Sequence, residues 1–282
     1  MRGGRFREVI STKHEQLESC LRSFGSCLVA YSGGVDSVFL AHAAHRVLGE
    51  RALAVIADSP SLPRRELEEA VAIGEKFGFP LRVIRTHEFD NPQYLANPSN
   101  RCYFCKHELF TQLEPIARQE GFSVVAYGEN ASDVGDFRPG SKAAAEFQVR
   151  APLQEVGLTK QEIRELSAEL GLPTSDKPAM PCLSSRIPHG ERVSTDKLRM
   201  IEQAEALLHD RGFRTVRVRH HETAAGALAR IELGAAELSR LNGNQLPAET
   251  TVALIEFGYT QVVVDARGYR QGGASPSGSP QA

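Results

Sequence analysis

The apolar positions of the chain follow two rhythms. Over the first two-thirds, short continuous apolar runs alternate with longer stretches of helical period. "SCLVAYSG" (26–33) predicts a strand and "VDSVFLAHAAHRVLG" (35–49) the helix after it. "RALAVIAD" (51–58) and "PLRVIRTHE" (80–88) predict two further strands. Between them lies the helix "LPRRELEEAVAIGEKFG" (62–78), opened by Pro63. A helix, "YFCKHELFTQLEPIARQEG" (103–121), and a strand, "FSVVAYGEN" (122–130), complete the series. Strands without polar alternation are covered on both faces. The βαβα order therefore predicts an α/β fold, a doubly wound parallel sheet whose function lies at the C-terminal ends of its strands.

The pattern weakens over 131–157, which reads as turns with few regular repeats. "LTKQEIRELSAELGL" (158–172) is again helical, with Thr159 as N-cap and Glu162 closing a capping box. "PTSDKPAMPCLSSRIPHGER" (173–192) is a Pro-rich loop of about 20 residues, a length that points to a functional or disordered segment. A smaller α+β module follows. It has a helix at 194–212, short strands at 215–221 and 227–233, a helix at 235–243 and a last strand at 260–268. The expected domains are 1–180, then 181–270 with the cysteine loop at its start, and a disordered Gly/Ser/Pro-rich tail at 271–282.

Apolar residues make up 41% and charged residues 24%, the balance of a globular protein that buries a core. The formal charge of −2 supplies no global basic field, so nucleic acid is not expected as the main partner. No apolar run approaches the roughly 18–20 residues of a membrane span, and the N-terminus has no apolar signal core. Five cysteines are too few and too odd in number for a disulfide framework, which places the chain in the reducing cytoplasm. There, the Cys102-x-x-Cys105 pair is expected to bind metal or take part in chemistry.

The most specific chemical signal is "VAYSGGVDSVFL" (29–40), an apolar strand running into Ser32-Gly33-Gly34-Val35-Asp36-Ser37 and then a helix. Gly33 and Gly34 let backbone N–H groups close on an anion, and the helix start adds unpaired donors and partial positive charge. Ser32 and Ser37 add hydroxyls. Asp36 would repel phosphate, so its expected task is to hold Mg²⁺ or to order the loop. The stretch lacks the Lys of a Walker A loop.

SGGVDS resembles the PP-loop of the N-type ATP pyrophosphatase superfamily. That resemblance implies cleavage of ATP between the α and β phosphates, with adenylation of a substrate oxygen. Asp58 stands at a strand end where such folds contact the nucleotide, and an ordinary strand-end carboxylate explains it equally well. Three further stretches, "YGENASDVGDFRPGSKAAAEFQVRAPL" (127–153), "KPAMPCLSSRIPHGERV" (177–193) and "VRVRHH…ALARIEL" (216–233), narrow the resemblance. Together with the PP-loop they resemble the LarE family over most of residues 15–270. The family's members are ATP-dependent sulfur transferases of nickel-pincer nucleotide biosynthesis. The resemblance implies adenylation of a carboxylate of pyridinium-3,5-biscarboxylic acid mononucleotide, attack by sulfur, and release of AMP from the new thiocarboxylate. It also suggests a homo-oligomer; the sulfide donor is not specified.

In this family Cys182 matches the sulfur-site cysteine. In one branch that cysteine surrenders its sulfur and becomes dehydroalanine. In another it joins a CxxC to hold a [4Fe–4S] cluster with one open iron. Cys102, Cys105 and Cys182 together place the chain in the second branch. A sacrificial Cys182, a zinc site drawing on His107, and a redox disulfide remain open. Cys20 and Cys27 read as buried, inert thiols.

The substrate's phosphate and carboxylates require fixed cations. Arg217 and Arg219 share one face of a strand, suit a bidentate clamp, and match the family's phosphate-binding arginines. A solvated strand face is the alternative. Arg186 is a third candidate. Asn130, Asp133, Asp136 and Arg138 lie past a strand end in the region expected to face ATP. Glu205 and Glu232 are weaker candidates for ordering arginines or metal, and Glu205 reads first as part of a solvated helix face. His220 and His221 alternate faces and do not read as a metal pair. Two rival functions remain. A tRNA-thiolating PP-loop enzyme would need an RNA-binding surface. An amide-forming ligase would have no use for the three cysteines.

Overall fold

The computed structural model describes residues 2–135, 138–241, 243 and 245–269. In chain order the elements are α1 (Arg2–Phe24), β1 (Cys27–Tyr31), α2 (Val35–Leu48), β2 (Ala52–Asp58), α3 (Arg64–Phe77), β3 (Leu81–Arg85), α4 (Pro92–Leu95), α5 (Arg101–Glu120), β4 (Val124–Tyr127), α6 (Pro139–Glu146), α7 (Pro152–Glu155) and α8 (Lys160–Glu169). Then follow α9 (Thr195–Asp210), β5 (Val216–Thr223), β6 (Gly226–Leu233), α10 (Ala235–Leu238), α11 (Ala248–Glu256) and β7 (Gln261–Val264). These form two compact units. The first holds the residues up to Ser59, Arg64–Glu88 and Cys102–Met180. The second holds Pro60–Pro63, Phe89–Arg101 and the described residues from Pro181 onward.

The first unit contains a four-stranded parallel sheet in the order β3-β2-β1-β4. The central strands are the apolar runs. All five residues of β1 are buried, and so are the first five of β2. Period-two alternation divides β1 between two layers. Leu28 and Ala30 pack with Phe110 and Leu113 of α5 and Ala143 and Ala144 of α6. Tyr31 faces the other way, donating its hydroxyl to the Ala70 carbonyl of α3 at 3.0 Å. The edge strand β3 is only partly covered.

Chain order explains where a ligand can enter. The chain winds from β1 to β2 to β3, then returns through α5 to β4 on the opposite side of β1. The strand order reverses between β1 and β4, and the crevice outside their C-terminal ends is the natural binding place of such sheets.

The second unit has a sheet in the order β5-β6-β7, antiparallel between β5 and β6 and parallel between β6 and β7. Its core joins Val216, Val218, Ala229, Ile231 and Leu233 of the sheet to Ala204 and Leu208 of α9 and Leu254 of α11.

Several expectations change. The 131–157 stretch contains α6 and α7, each with Pro at its N-terminus. Ala143 and Ala144 bury a narrow helix face there that pattern reading misses. Of the helix expected at 235–243, Ala235–Leu238 forms the single turn α10, and α11 is an element that the pattern does not predict. The Pro-rich loop contains a 3₁₀ turn, Leu183–Arg186. Cys20 is only partly buried, whereas Cys27 is fully so, and burial pushes its thiol up to about 12. The tail at 271–282 and Asp136 lie outside the described residues.

Candidate active site

The glycine turn after β1 closes as its residues require. Gly33 has φ of +73°, and a Cβ there would stand 2.8 Å from the Cβ of Ala70 on α3. Only glycine fits both demands. Gly34 is the N-cap of α2 and offers no side-chain cap, so the first turn of the helix keeps donors for an anion. The two serines brace the loop. Ser37 Oγ donates to the Gly34 carbonyl at 3.0 Å, accepts the Ser32 N–H at 3.1 Å and stands 3.1 Å from Ser32 Oγ. These hydrogen bonds hold the loop from within. Gly128, just past β4, closes it from the other side: a Cβ there would lie 2.9 Å from the Ser37 nitrogen.

Asp36 opens the second layer of the site. Its Oδ2 accepts from Lys160 Nζ at 2.6 Å, and its Oδ1 is buried without a hydrogen-bond partner. Burial pushes its carboxyl up against the opposing pull of Lys160. A buried carboxylate oxygen without a donor suits a cation, and Mg²⁺ accompanying nucleotide phosphates meets that need. Asn130 caps the Ala131–Asp133 turn through its Oδ1, while its buried Nδ2 lacks a partner. Asp133 pairs with Arg138 at 2.5 Å. Asp58 pairs with Arg64, a nearby partner that occupies one oxygen.

A cavity of about 330 Å³ lies at the switch point, lined by Ser32, Gly34, Asp36 and Ser37, by Glu129, and by Cys102 and Lys106 of α5. One cysteine of the CxxC pair thus lines a cavity together with the PP-loop. Cys102 and Cys105 stand on the first two turns of α5, three residues apart and so on neighbouring positions of one face. Neither is in a disulfide. The Lys106 ammonium lies over the Tyr127 ring at 4.9 Å and the Phe110 ring at 5.6 Å. Burial lowers its pKa, while Cys105, Glu129 and Cys102 favour its charge. His107 points elsewhere. At about 100° per residue it lies far around the helix from both thiols, and its ring packs on Phe147 at 5.0 Å. It is a poor fourth ligand for zinc. Among the described residues, no group of three or more His, Cys, Asp and Glu stands together to hold a metal ion.

In the second unit the Pro-rich loop is ordered around Cys182, which caps the Leu183–Arg186 turn. The excursions at 60–63 and 89–101 hold it. Leu183 donates its N–H to the Ser61 carbonyl at 2.8 Å, Tyr94 Oη meets Ser184 Oγ at 2.9 Å, and Asn97 Nδ2 donates to the Pro188 carbonyl at 2.7 Å. Arg101 donates to the Ser184 carbonyl at 3.1 Å.

The three predicted arginines gather beside this turn. Arg186 is wholly buried and forks onto Glu205, with 2.9 Å to each oxygen. Arg219 forks onto Glu232 and donates to the Ser185 carbonyl at 3.0 Å. Arg217 stacks over the Tyr269 ring at 5.2 Å; burial first, then the charge of Arg186, lowers its pKa. Arg217 and Arg219 are each 5% exposed, so theirs is not a solvated strand face. Glu205 is buried as well, contrary to the solvated helix face expected for it, because the Arg186 fork and the Val218 N–H satisfy its oxygens. Arg186 and Arg219 are thus each held on a carboxylate, while Arg217 donates to the Val216 carbonyl at 2.7 Å. His220 is in the core against Tyr259 and is not part of a metal pair.

Sequence reasoning missed four contributors. Lys106 follows Cys102 by one helical turn and was legible from that spacing. Glu129, Gly128 and Lys160 reach the site only because β4 and the start of α8 converge on the PP-loop, which no local pattern shows.

No family model matches the chain. A pyridinium-3,5-bisthiocarboxylic acid mononucleotide synthase of Lactiplantibacillus plantarum is 32% identical over 93% of this chain and 94% of its own length. An uncharacterized protein of Synechocystis sp. is 42% identical over 94% of this chain and 97% of its own. A component of the glutamine-hydrolyzing GMP synthase of Methanopyrus kandleri is 27% identical over 70% of this chain and 67% of its own. The last similarity agrees with the parallel sheet and PP-loop fold. With a characterized relative matched along nearly its whole length, the chain belongs to the LarE family of ATP-dependent sulfurtransferases.

Proposed function

We propose that the protein uses Mg²⁺·ATP to adenylate a carboxylate of pyridinium-3,5-biscarboxylic acid mononucleotide and then installs sulfur to give the thiocarboxylate. A carboxylate oxygen attacks the α-phosphorus and pyrophosphate leaves. Hydrosulfide sulfur then attacks the acyl carbon, the C–O bond to AMP breaks, and AMP departs. The observation that carries this reading is the shared cavity: a cysteine of the CxxC pair lines the same space as the anion cradle. Ser32, Gly33, Gly34 and Ser37 bind phosphate. Asp36 holds Mg²⁺, and Asp58 and Asn130 contact the nucleotide. Arg217 and Arg219 bind the substrate's anionic groups.

The family resemblance assigns Cys102, Cys105 and Cys182 to a [4Fe–4S] cluster, and thiolates are the donor type such a cluster takes, while among the described residues no three such groups stand together. When bound, such a cluster supplies an open iron able to carry sulfide. We place this chemistry in the reducing cytoplasm, where thiols stay available. The chain works as a homo-oligomer, a state consistent with the exposed Val252, Ile255 and Val263 side chains.

Anaerobic purification followed by iron and sulfide analysis tests the cluster. Substoichiometric iron, or iron retained after Cys102→Ser, Cys105→Ser and Cys182→Ser, would remove it. Mass spectrometry after turnover separates the alternative, because dehydroalanine at 182 would mean that Cys182 is itself the sulfur source. ATP–pyrophosphate exchange dependent on the nucleotide tests adenylation.

A further inference from the structure

The guanidinium of Arg186 has little left to offer a substrate. Nε and Nη2 each donate to Glu205 at 2.9 Å, and Nη1 reaches the Pro181 carbonyl, the Cys182 carbonyl at 3.1 Å and Ser185 Oγ at 3.0 Å. Every guanidinium nitrogen is engaged within the protein, and the side chain has no exposed surface.

The other half of the pair is committed in the same way. Glu205 Oε1 also accepts the N–H of Val218 at 3.0 Å. Val218 lies between Arg217 and Arg219 on β5, and Arg219 returns to the same turn through the Ser185 carbonyl at 3.0 Å. A closed circuit results: Cys182 carbonyl, Arg186, Glu205, β5 backbone, Arg219, Ser185 carbonyl.

We propose that Arg186 and Glu205 are positioning residues that set the backbone of Cys182 and couple its turn to the arginine strand, and that neither contacts substrate. A planar fork has one geometry, so the turn it grips has one as well. An anion bound by Arg217 and Arg219 therefore meets a cysteine turn already registered to it. This rests on the reading of Cys182 as a sulfur-site residue.

The test uses the full-length protein with Glu205→Gln, which keeps shape but loses charge, and Arg186→Lys, which keeps charge but loses the fork. Three readouts are taken: kcat and KM of sulfur transfer, ATP–pyrophosphate exchange, and the iodoacetamide modification rate of Cys182 followed by peptide mass spectrometry. We expect kcat to fall at least about tenfold with KM within about twofold, as for loss of an interaction made only in the transition state. Exchange stays at the wild-type rate and the alkylation rate at Cys182 shifts by at least about threefold. A raised KM or weakened exchange with alkylation unchanged would overturn the proposal and make Arg186 a substrate contact. Ser185→Ala removes one grip without stranding a buried charge. It carries the alkylation test if thermal melts show the other two variants unfolded, and an unchanged rate there counts against the proposal. Should Cys182→Ser transfer sulfur normally, the functional reading fails, while the alkylation results still decide whether the fork positions the turn.

Discussion

Gly33 shows how much a single position can require. Its backbone conformation is left-handed and its missing Cβ makes room for α3. Gly33→Ala should lose nucleotide-dependent ATP–pyrophosphate exchange by at least about tenfold and cost about 1–2 kcal/mol of stability from backbone strain alone. Exchange assays and chemical denaturation read the two effects. Arg217→Ala should raise the KM for the nucleotide substrate by about tenfold or more, the loss expected of a charge-assisted contact, with the exchange reaction rescued at high substrate. His220 makes a residue-scale prediction about acid. Burial, with Lys197 and His221 adding to it and Glu222 opposing, lowers its pKa to about 4. The unfolded chain, with an ordinary histidine near 6.5, binds the extra proton first as pH falls. Stability from this group is therefore complete above about 6.5 and declines between about 6.5 and 4, by an amount of order 2 kcal/mol. Urea melts at pH 7 and pH 5 should show a smaller loss for His220→Gln than for the wild type.

Among the elements, α8 is the one whose start was most legible. Thr159 Oγ accepts the Glu162 N–H at 3.3 Å, and the Glu162 carboxylate returns to the Thr159 N–H at 2.8 Å, as S/T-x-x-E predicts. Glu162 also receives Lys13 of α1 at 2.7 Å, a partner that no capping rule reveals. Thr159→Ala should cost about 1 kcal/mol by denaturant titration. It should also reduce exchange activity, since α8 begins by presenting Lys160 to Asp36. The strands and long helices of the first unit follow from their apolar periods. α6 and α11 do not: α6 begins at a proline within a weak pattern, and its packing face consists largely of alanines, which carry little hydrophobic signal.

At the scale of the whole molecule, ligand chemistry follows from strand order. Reversal between β1 and β4 makes room at the ends of the two strands that carry the PP-loop and Glu129. The second unit borrows residues 60–63 and 89–101, and these excursions order the Cys182 loop that composition alone presented as either functional or disordered. Among the described residues, no helix is long and apolar enough to cross a membrane. The exposed side chains of α11 and β7 yield a last prediction. Val252→Lys with Val263→Lys should shift sedimentation velocity toward smaller species, and an unchanged profile would place any oligomer contact elsewhere.

The sequence by itself determined the fold class and the PP-loop. Apolar period and glycine position are local properties, and they act over a few residues at a time. Tertiary structure decided what those residues do together. It brought Cys102 to the phosphate cradle, set Lys160 against Asp36, and turned Glu205 inward to hold Arg186. Burial of a charge is tolerated only when its partner is present, and that partner is 19 residues away for Arg186 and 124 for Asp36.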